Sequence, residues 1–152
     1  MADTAEEEAR VAAFGALLRE RVIDALPGWI ERVVIQHCSA RNTSIEVADI
    51  AVLVARVVGD LDVALRAFFD ADIDAQRTTP LATVRAAMAP VTAFLRQRGA
   101  DAPPRDGFAT RTSPDDIYAL GPAAWSDLGE EVHIAGLHWG AAKAFLHRRR
   151  HG

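Results

Sequence analysis

From Ala5 to Leu26 the apolar residues Val11, Phe14, Leu18 and Val22 return at steps of three and four, the spacing that lines one face of an α-helix. Glu6, Glu7 and Glu8 stand in the first turn, where the helix dipole favours acids. Pro27-Gly28 predicts the end of this helix, because proline has no N–H to donate and glycine is flexible. Trp29 to Cys38 follows as a second apolar segment, too short for periodicity to separate helix from strand over 30–38; helix is the expectation. Thr43 and Glu46 have the spacing of a capping box and predict a third helix running through Ile50, Leu53, Val54 and Val57. Gly59 is a point of interruption before Leu61, Leu65, Phe68 and Phe69 resume the helical spacing.

Thr79-Pro80 reads as an N-cap followed by proline at the first helical position. The helix it opens carries Leu81, Val84, Met88, Val91 and Leu95, is expected to kink at Pro90, and ends near Gly99. Residues 99–112, rich in glycine and proline, predict a surface loop pinned by Phe108. Ser113-Pro114-Asp115-Asp116 is a further helix start, Gly121-Pro122 closes that short helix, and another begins around Trp125. The last helix is expected from Glu131 to His147, followed by a basic tail over 148–152. No segment alternates with the two-residue period of a strand. The pattern predicts an all-α fold: one domain over 1–152, an irregular bundle of about five to seven helices.

Composition narrows the function classes more than it names one. The chain has 152 residues, 50% apolar and 25% charged, enough for one packed core. A net charge of −4 gives no general attraction to nucleic acid or anionic membranes, so such contacts would have to come from a local patch. The single cysteine, Cys38, excludes a disulfide framework within the chain and fits a reducing cytoplasm. Residues 2–10 are acidic and alanine-rich, unlike a signal peptide, and the apolar run Ile50 to Val58 falls short of the roughly 20 residues of a membrane span. Basic positions are arginine throughout except Lys143, the only lysine, which singles that position out.

Motifs that carry chemistry are present only in fragments. Asp70, Asp72 and Asp74 have the spacing that opens an EF-hand calcium loop, but Ala75 stands where the turn needs glycine and Leu81 where it needs glutamate. Glu130-Glu131-Val132-His133 contains one Glu-x-x-His step, whereas di-metal bundle sites use it twice. His133 and His138 lie about 140° apart on a helix and cannot share an ion. Neither a metal nor another cofactor is expected. His37 and Cys38 are adjacent and point in different directions, so the thiol is not activated by that histidine. A segment from Ser44 through Gly59 to Phe69 has a faint helix-turn-helix pattern, yet it would present Asp60 and Asp62 to phosphates, with Arg66 alone in favour.

The final twenty residues, HIAGLHWGAAKAFLHRRRHG, are the richest in candidate chemistry. On a helical wheel Leu137, His138, Ala141, Ala142 and Phe145 fall within about 80° of Ile134, so this face is expected to be buried. Trp139, Lys143 and His147 then form an outward stripe flanked by Gly136 and Gly140, with Lys143 placed for a cation–π contact on the indole. That stripe is the leading candidate binding surface. Weaker candidates are Asp115, Asp116, Glu130, Glu131, His133 and the arginines Arg148, Arg149 and Arg150. The leading functional expectation is a non-enzymatic binding or regulatory protein acting through a helical surface on a protein partner or on itself. The alternatives are a small-molecule-binding or catalytic helical domain using the Trp139/Lys143 face, and a nucleic-acid-associated regulator using the arginine tail.

The stretches DIDAQRTTPLATVR (72–85) and PDDIYALGPAAWSDL with HIAGLHWGAAKAF (114–145) resemble a group of short actinobacterial proteins without assigned function. The resemblance covers about half of the chain and implies a bacterial cytoplasmic protein. It supplies no activity, cofactor or site.

Overall fold

Leu18, Val22, Leu26, Ile30 and Val34 are each 0% exposed and Cys38 is 1% exposed, a row at a strict spacing of four that continues straight through Pro27. In the computed structural model, which describes residues 2–71, 79–100 and 120–151, this row lies on one helix, α1 (Ala2–Ala40). The expected break at Pro27-Gly28 is therefore absent. Proline forfeits one backbone hydrogen bond, but ending the helix there would pull Leu26 and Ile30 off a shared buried row. Residues 30–38 are accordingly helical. A spacing of four drifts by about 40° per step, so the row winds around α1 and offers successive stretches to different neighbours.

α1 ends in a Schellman motif. The Thr43 N–H bonds the Cys38 carbonyl at 2.8 Å, the Asn42 N–H bonds the Ser39 carbonyl at 3.1 Å, and Asn42 takes the left-handed conformation this requires, φ 53°. The chain then reverses into α2 (Val47–Asp70), which runs back along α1. Glu46 is its N-cap residue and makes no side-chain cap bond, so the expected Thr43–Glu46 capping box does not form. Ile50, Leu53, Val57, Leu61 and Leu65 form its buried face, and Gly59 does not interrupt it. A helix of this length also removes the turn on which a helix-turn-helix reading depends. Arg19 of α1 bonds Asp62 of α2 at 2.6 Å and, with Arg66 close by, holds the Asp62 carboxyl below the usual carboxylate range.

Gly59 is exposed and a Cβ placed on it would meet no atom within 4 Å. Gly59→Ala is therefore expected to stabilise the protein by about 0.5–1 kcal/mol, by lowering the conformational freedom of the unfolded chain. Urea denaturation followed by circular dichroism checks this; a loss of stability would mean that this face of α2 is covered.

The Thr79-Pro80 start is borne out: the Thr79 hydroxyl accepts from the Ala82 N–H at 3.2 Å and opens α3 (Pro80–Ala86). The expected kink at Pro90 is a full break, with a turn around Met88 before α4 (Ala89–Gln97), so that Pro90 falls in the first turn of a new helix where its missing N–H costs nothing. Gly99, at φ 68°, ends α4 in a second Schellman motif, with Ala100 bonding the Leu95 carbonyl at 2.8 Å. The bulk of the expected 99–112 loop, its Phe108, and the expected helix start at Ser113–Asp116 lie outside the described residues, as do Asp72 and Asp74 of the calcium-like triplet.

Trp29 Nε1 donates to the Leu120 carbonyl at 3.0 Å and fixes the entry to the C-terminal segment on α1. A 3₁₀ turn (Trp125–Leu128) follows, capped by the Asp127 carboxylate, which accepts from Ala123 and Ala124 at 2.9 and 3.1 Å. The last helix, α5 (Glu130–His151), runs antiparallel to the first half of α1 and extends past the expected end at His147, so the basic tail is helical through His151. Among the described residues the fold is all-α and has four helical arms: α1, α2, the broken α3–α4 pair and α5. Counted as arms among the described residues, four stand against the expected five to seven helices, because the segments divided at Pro27 and at Gly59 are continuous and α3–α4 is one arm broken at Met88. Their buried residues form one hydrophobic cluster.

Candidate functional site

α5 packs on the opposite face from the expected one. Trp139 is 6% exposed, and Val132, Ala135, Gly136 and Leu146 are buried with it, whereas Ile134, Leu137 and Phe145 are 44%, 58% and 43% exposed. His138 and Ala141, expected in the core, are exposed as well. The Trp139 ring stands 5.5 Å from Phe69 and 6.2 Å from Phe68, against the bare backbone of Gly15 on α1. Its indole N–H finds no acceptor among the described residues. Gly136 lies directly beneath the Trp125 ring, so close that a Cβ would overlap the indole. The chain's own aromatic residues thus cover Trp139 and Gly136, the first part of the stripe expected to face outward.

Lys143 does form the expected cation–π contact, its Nζ 4.9 Å from the Trp139 ring centre. Burial pushes its ammonium below the usual lysine range. It is half-buried, however, and works as a lid over the indole rather than as an outward group. His147 is exposed and meets the His151 ring in a tilted contact at 4.7 Å, while Gly140 is half-buried with no atom near its Cβ position.

The face left open is an exposed seam with apolar residues at its middle and charged ones at its ends. Glu131, Ile134, His138, Ala141, Phe145 and Arg148 are all exposed and recur at alternating steps of three and four, with Leu137 along one edge. Along the other edge α1 supplies a wall. Phe14 meets the His138 ring at 5.4 Å, and with Glu7, Arg10, Ala142 and Phe145 it encloses an open groove of about 240 Å³. One oxygen of Glu7, Oε2, is buried there without a hydrogen-bond partner among the described residues, while Oε1 lies 3.8 Å from Arg149 Nε. Arg150 pairs with Glu8 in the same way. Two arginines of the tail are therefore turned onto α1, and Arg148 is turned onto the seam, its guanidinium 5.9 Å from the Phe145 ring. The acidic run at Glu7-Glu8 and the basic run at Arg149-Arg150 are a sequence signal for this antiparallel pairing that the reading by helix dipole and basic tail leaves unused.

The remaining candidates do not assemble into a centre. Glu130, Glu131 and His133 are exposed at the start of α5, and no group of three potential metal ligands occurs among the described residues. Asp115 and Asp116 lie outside the described residues. Cys38 is a free, buried thiol whose burial raises its pKa against the opposing pull of Arg98, the reverse of an activated nucleophile. A second groove, about 280 Å³, runs between α2 and α4 beside Val52, Pro90 and Phe94. Arg98 closes one end of it, 3.4 Å from Asp49 and 3.6 Å above the Phe94 ring. No described helix is long and apolar enough to cross a membrane. Comparison of the chain with known protein families, with curated proteins and with solved structures gives no match.

Proposed function

We propose that this protein is a non-enzymatic binding protein, acting in the bacterial cytoplasm, whose working surface is the open face of α5 and the α1 groove beside it. The observation that carries this reading is the burial pattern of α5. A helix with two apolar faces has one covered by its own domain, while Ile134, Leu137 and Phe145 remain 44%, 58% and 43% exposed in one stripe. Single exposed apolar residues are common on any protein, but a row of three large ones on one helix face is the pattern of a helix that receives another surface. The indole and lysine of the small-molecule alternative are occupied with each other, and two arginines of the nucleic-acid alternative are paired with acids of α1.

A photo-crosslinking residue at position 137, in the full chain expressed in a bacterial cell, tests the reading. Irradiation is expected to yield an adduct heavier than the monomer, while the same residue at the exposed position 20 on α1 yields none. Monomer alone at both positions would sink the proposal.

A further inference from the structure

We infer that the partner received by the α5 face is a second copy of this chain, bound antiparallel about a two-fold axis passing between Trp139 and Gly140. This rests on the reading of that face as a binding surface and names its occupant. The seam Glu131, Ile134, His138, Ala141, Phe145, Arg148 has the alternating spacing of a coiled-coil stripe, which in an antiparallel pair brings the two alternating positions into mixed layers. Every layer so formed is complementary. Glu131 and Arg148 are equidistant from the midpoint, as are Ile134 and Phe145, and His138 and Ala141. The two-fold therefore sets acid against base at both ends, two large apolar side chains in the next layers, and a ring against a methyl group at the centre. Along the open edge Leu137 reaches Ala144 of the other copy. A two-fold interface must be self-complementary in this sense, and a stripe serving an unrelated partner has no reason to be.

Charge settles the direction. In a parallel pair Glu131 would meet Glu131 and Arg148 would meet Arg148, whereas the antiparallel pair satisfies both and also opposes the helix dipoles. None of the ion pairs among the described residues involves Glu131 or Arg148, and the contact of Arg148 with the Phe145 ring of its own helix holds its guanidinium over the seam. The wall made by Phe14 and Arg10 borders the seam on the α1 side, and all six seam residues remain exposed beside it.

Sedimentation of the full chain across micromolar concentrations should show a monomer–dimer equilibrium. Because each substitution acts twice in a two-fold dimer, Glu131→Arg and Arg148→Glu should each weaken it by about tenfold, and the double exchange should return it to within about threefold of the parent. Both positions are exposed, and circular dichroism verifies that the variants fold. Register is read independently by cysteines. The pair Ile134→Cys and Phe145→Cys should form an intermolecular disulfide on mild oxidation, whereas Ile134→Cys alone should not, since its two copies lie about 16 Å apart along the axis.

A chain that stays monomeric, a dimer indifferent to the charge exchanges, or ready crosslinking of the single Ile134→Cys variant overturns the inference. Failure of the inference alone is distinguishable from failure of the binding reading. A monomer that still gives a position-137 adduct of a mass other than twice its own loses only the second copy as occupant; a monomer with no adduct loses both.

Discussion

Trp139→Ala is expected to lower stability by about 3–5 kcal/mol, the cost of emptying an aromatic site that its surroundings cannot collapse into. The ring is 6% exposed, packs against the touching rings of Phe68 and Phe69, and fills the space over Gly15, where α1 has no side chain to move inward. A domain of this size holds a total stability of about 5–15 kcal/mol, so the variant should be close to unfolding at room temperature. Trp139→Phe should cost far less, about 1.5 kcal/mol or below, because a ring remains and the buried indole N–H that lacks an acceptor is removed with the rest. Phe145→Ala, on the open face of the same helix, should fall within about 0.5 kcal/mol of the parent in the monomer. The ordering separates two orientations of α5, since a helix turned to bury Ile134, His138 and Phe145 would reverse it. Urea denaturation at sub-micromolar protein, followed by far-ultraviolet circular dichroism, gives all three values.

That the sequence pointed to the wrong face of α5 has a specific cause. Periodicity finds the buried side of a helix only when the other side is polar, and here both are apolar: Ile134, Leu137, Ala141 and Phe145 on one, Val132, Ala135, Trp139 and Leu146 on the other. The tie was broken by shape. Ala135 and Gly136 let the helix approach closely, and an indole, Trp125, lies on the glycine. Gly136 and Gly140 were legible as places of close approach; what approaches Gly136 is a residue eleven positions earlier in the chain, which no helical wheel shows. The same ambiguity is what makes α5 a candidate surface, since a helix with large apolar residues on two faces has one of them left over when its own domain covers the other.

Elsewhere legibility followed the locality of the interaction. The Thr79 cap and the end of α4 at Gly99 depend on residues a few positions apart, and both were readable. The continuity of α1 through Pro27 was not, because it depends on neighbours far along the chain holding Leu26 and Ile30 on one buried row. Gly59 and Pro90 show the two ways a helix breaker resolves. The first sits in the solvent-facing side of a helix whose other face is fully packed, and the helix passes through; the second falls where a turn is already available and becomes the first turn of the next helix.

The sharpest test of the packing that orients α5 is Gly136→Ala. In most helices this change is favourable by about 1 kcal/mol, since alanine is the better helix former. Here the added Cβ would lie 2.8 Å from Trp125 Nε1 and 2.9 Å from Trp125 Cγ, and closer still to Cδ1. These are ring atoms, not the far end of a flexible chain, so the 3₁₀ turn must shift as a unit, and with it the Asp127 cap and the Leu128 side chain buried beside it. Overpacking of this kind costs about 1–3 kcal/mol after the helix gain is counted, a fall of roughly 2–4 °C in Tm for each kcal/mol at this chain length. If the contact is the cause, the cost depends on the indole. In a Trp125→Ala background the same glycine-to-alanine change should turn neutral or stabilising, a coupling of at least about 1 kcal/mol in the double-mutant cycle. Equal effects of Gly136→Ala in both backgrounds would mean that Trp125 does not rest on Gly136, and the face of α5 assigned to the core would have to be assigned again.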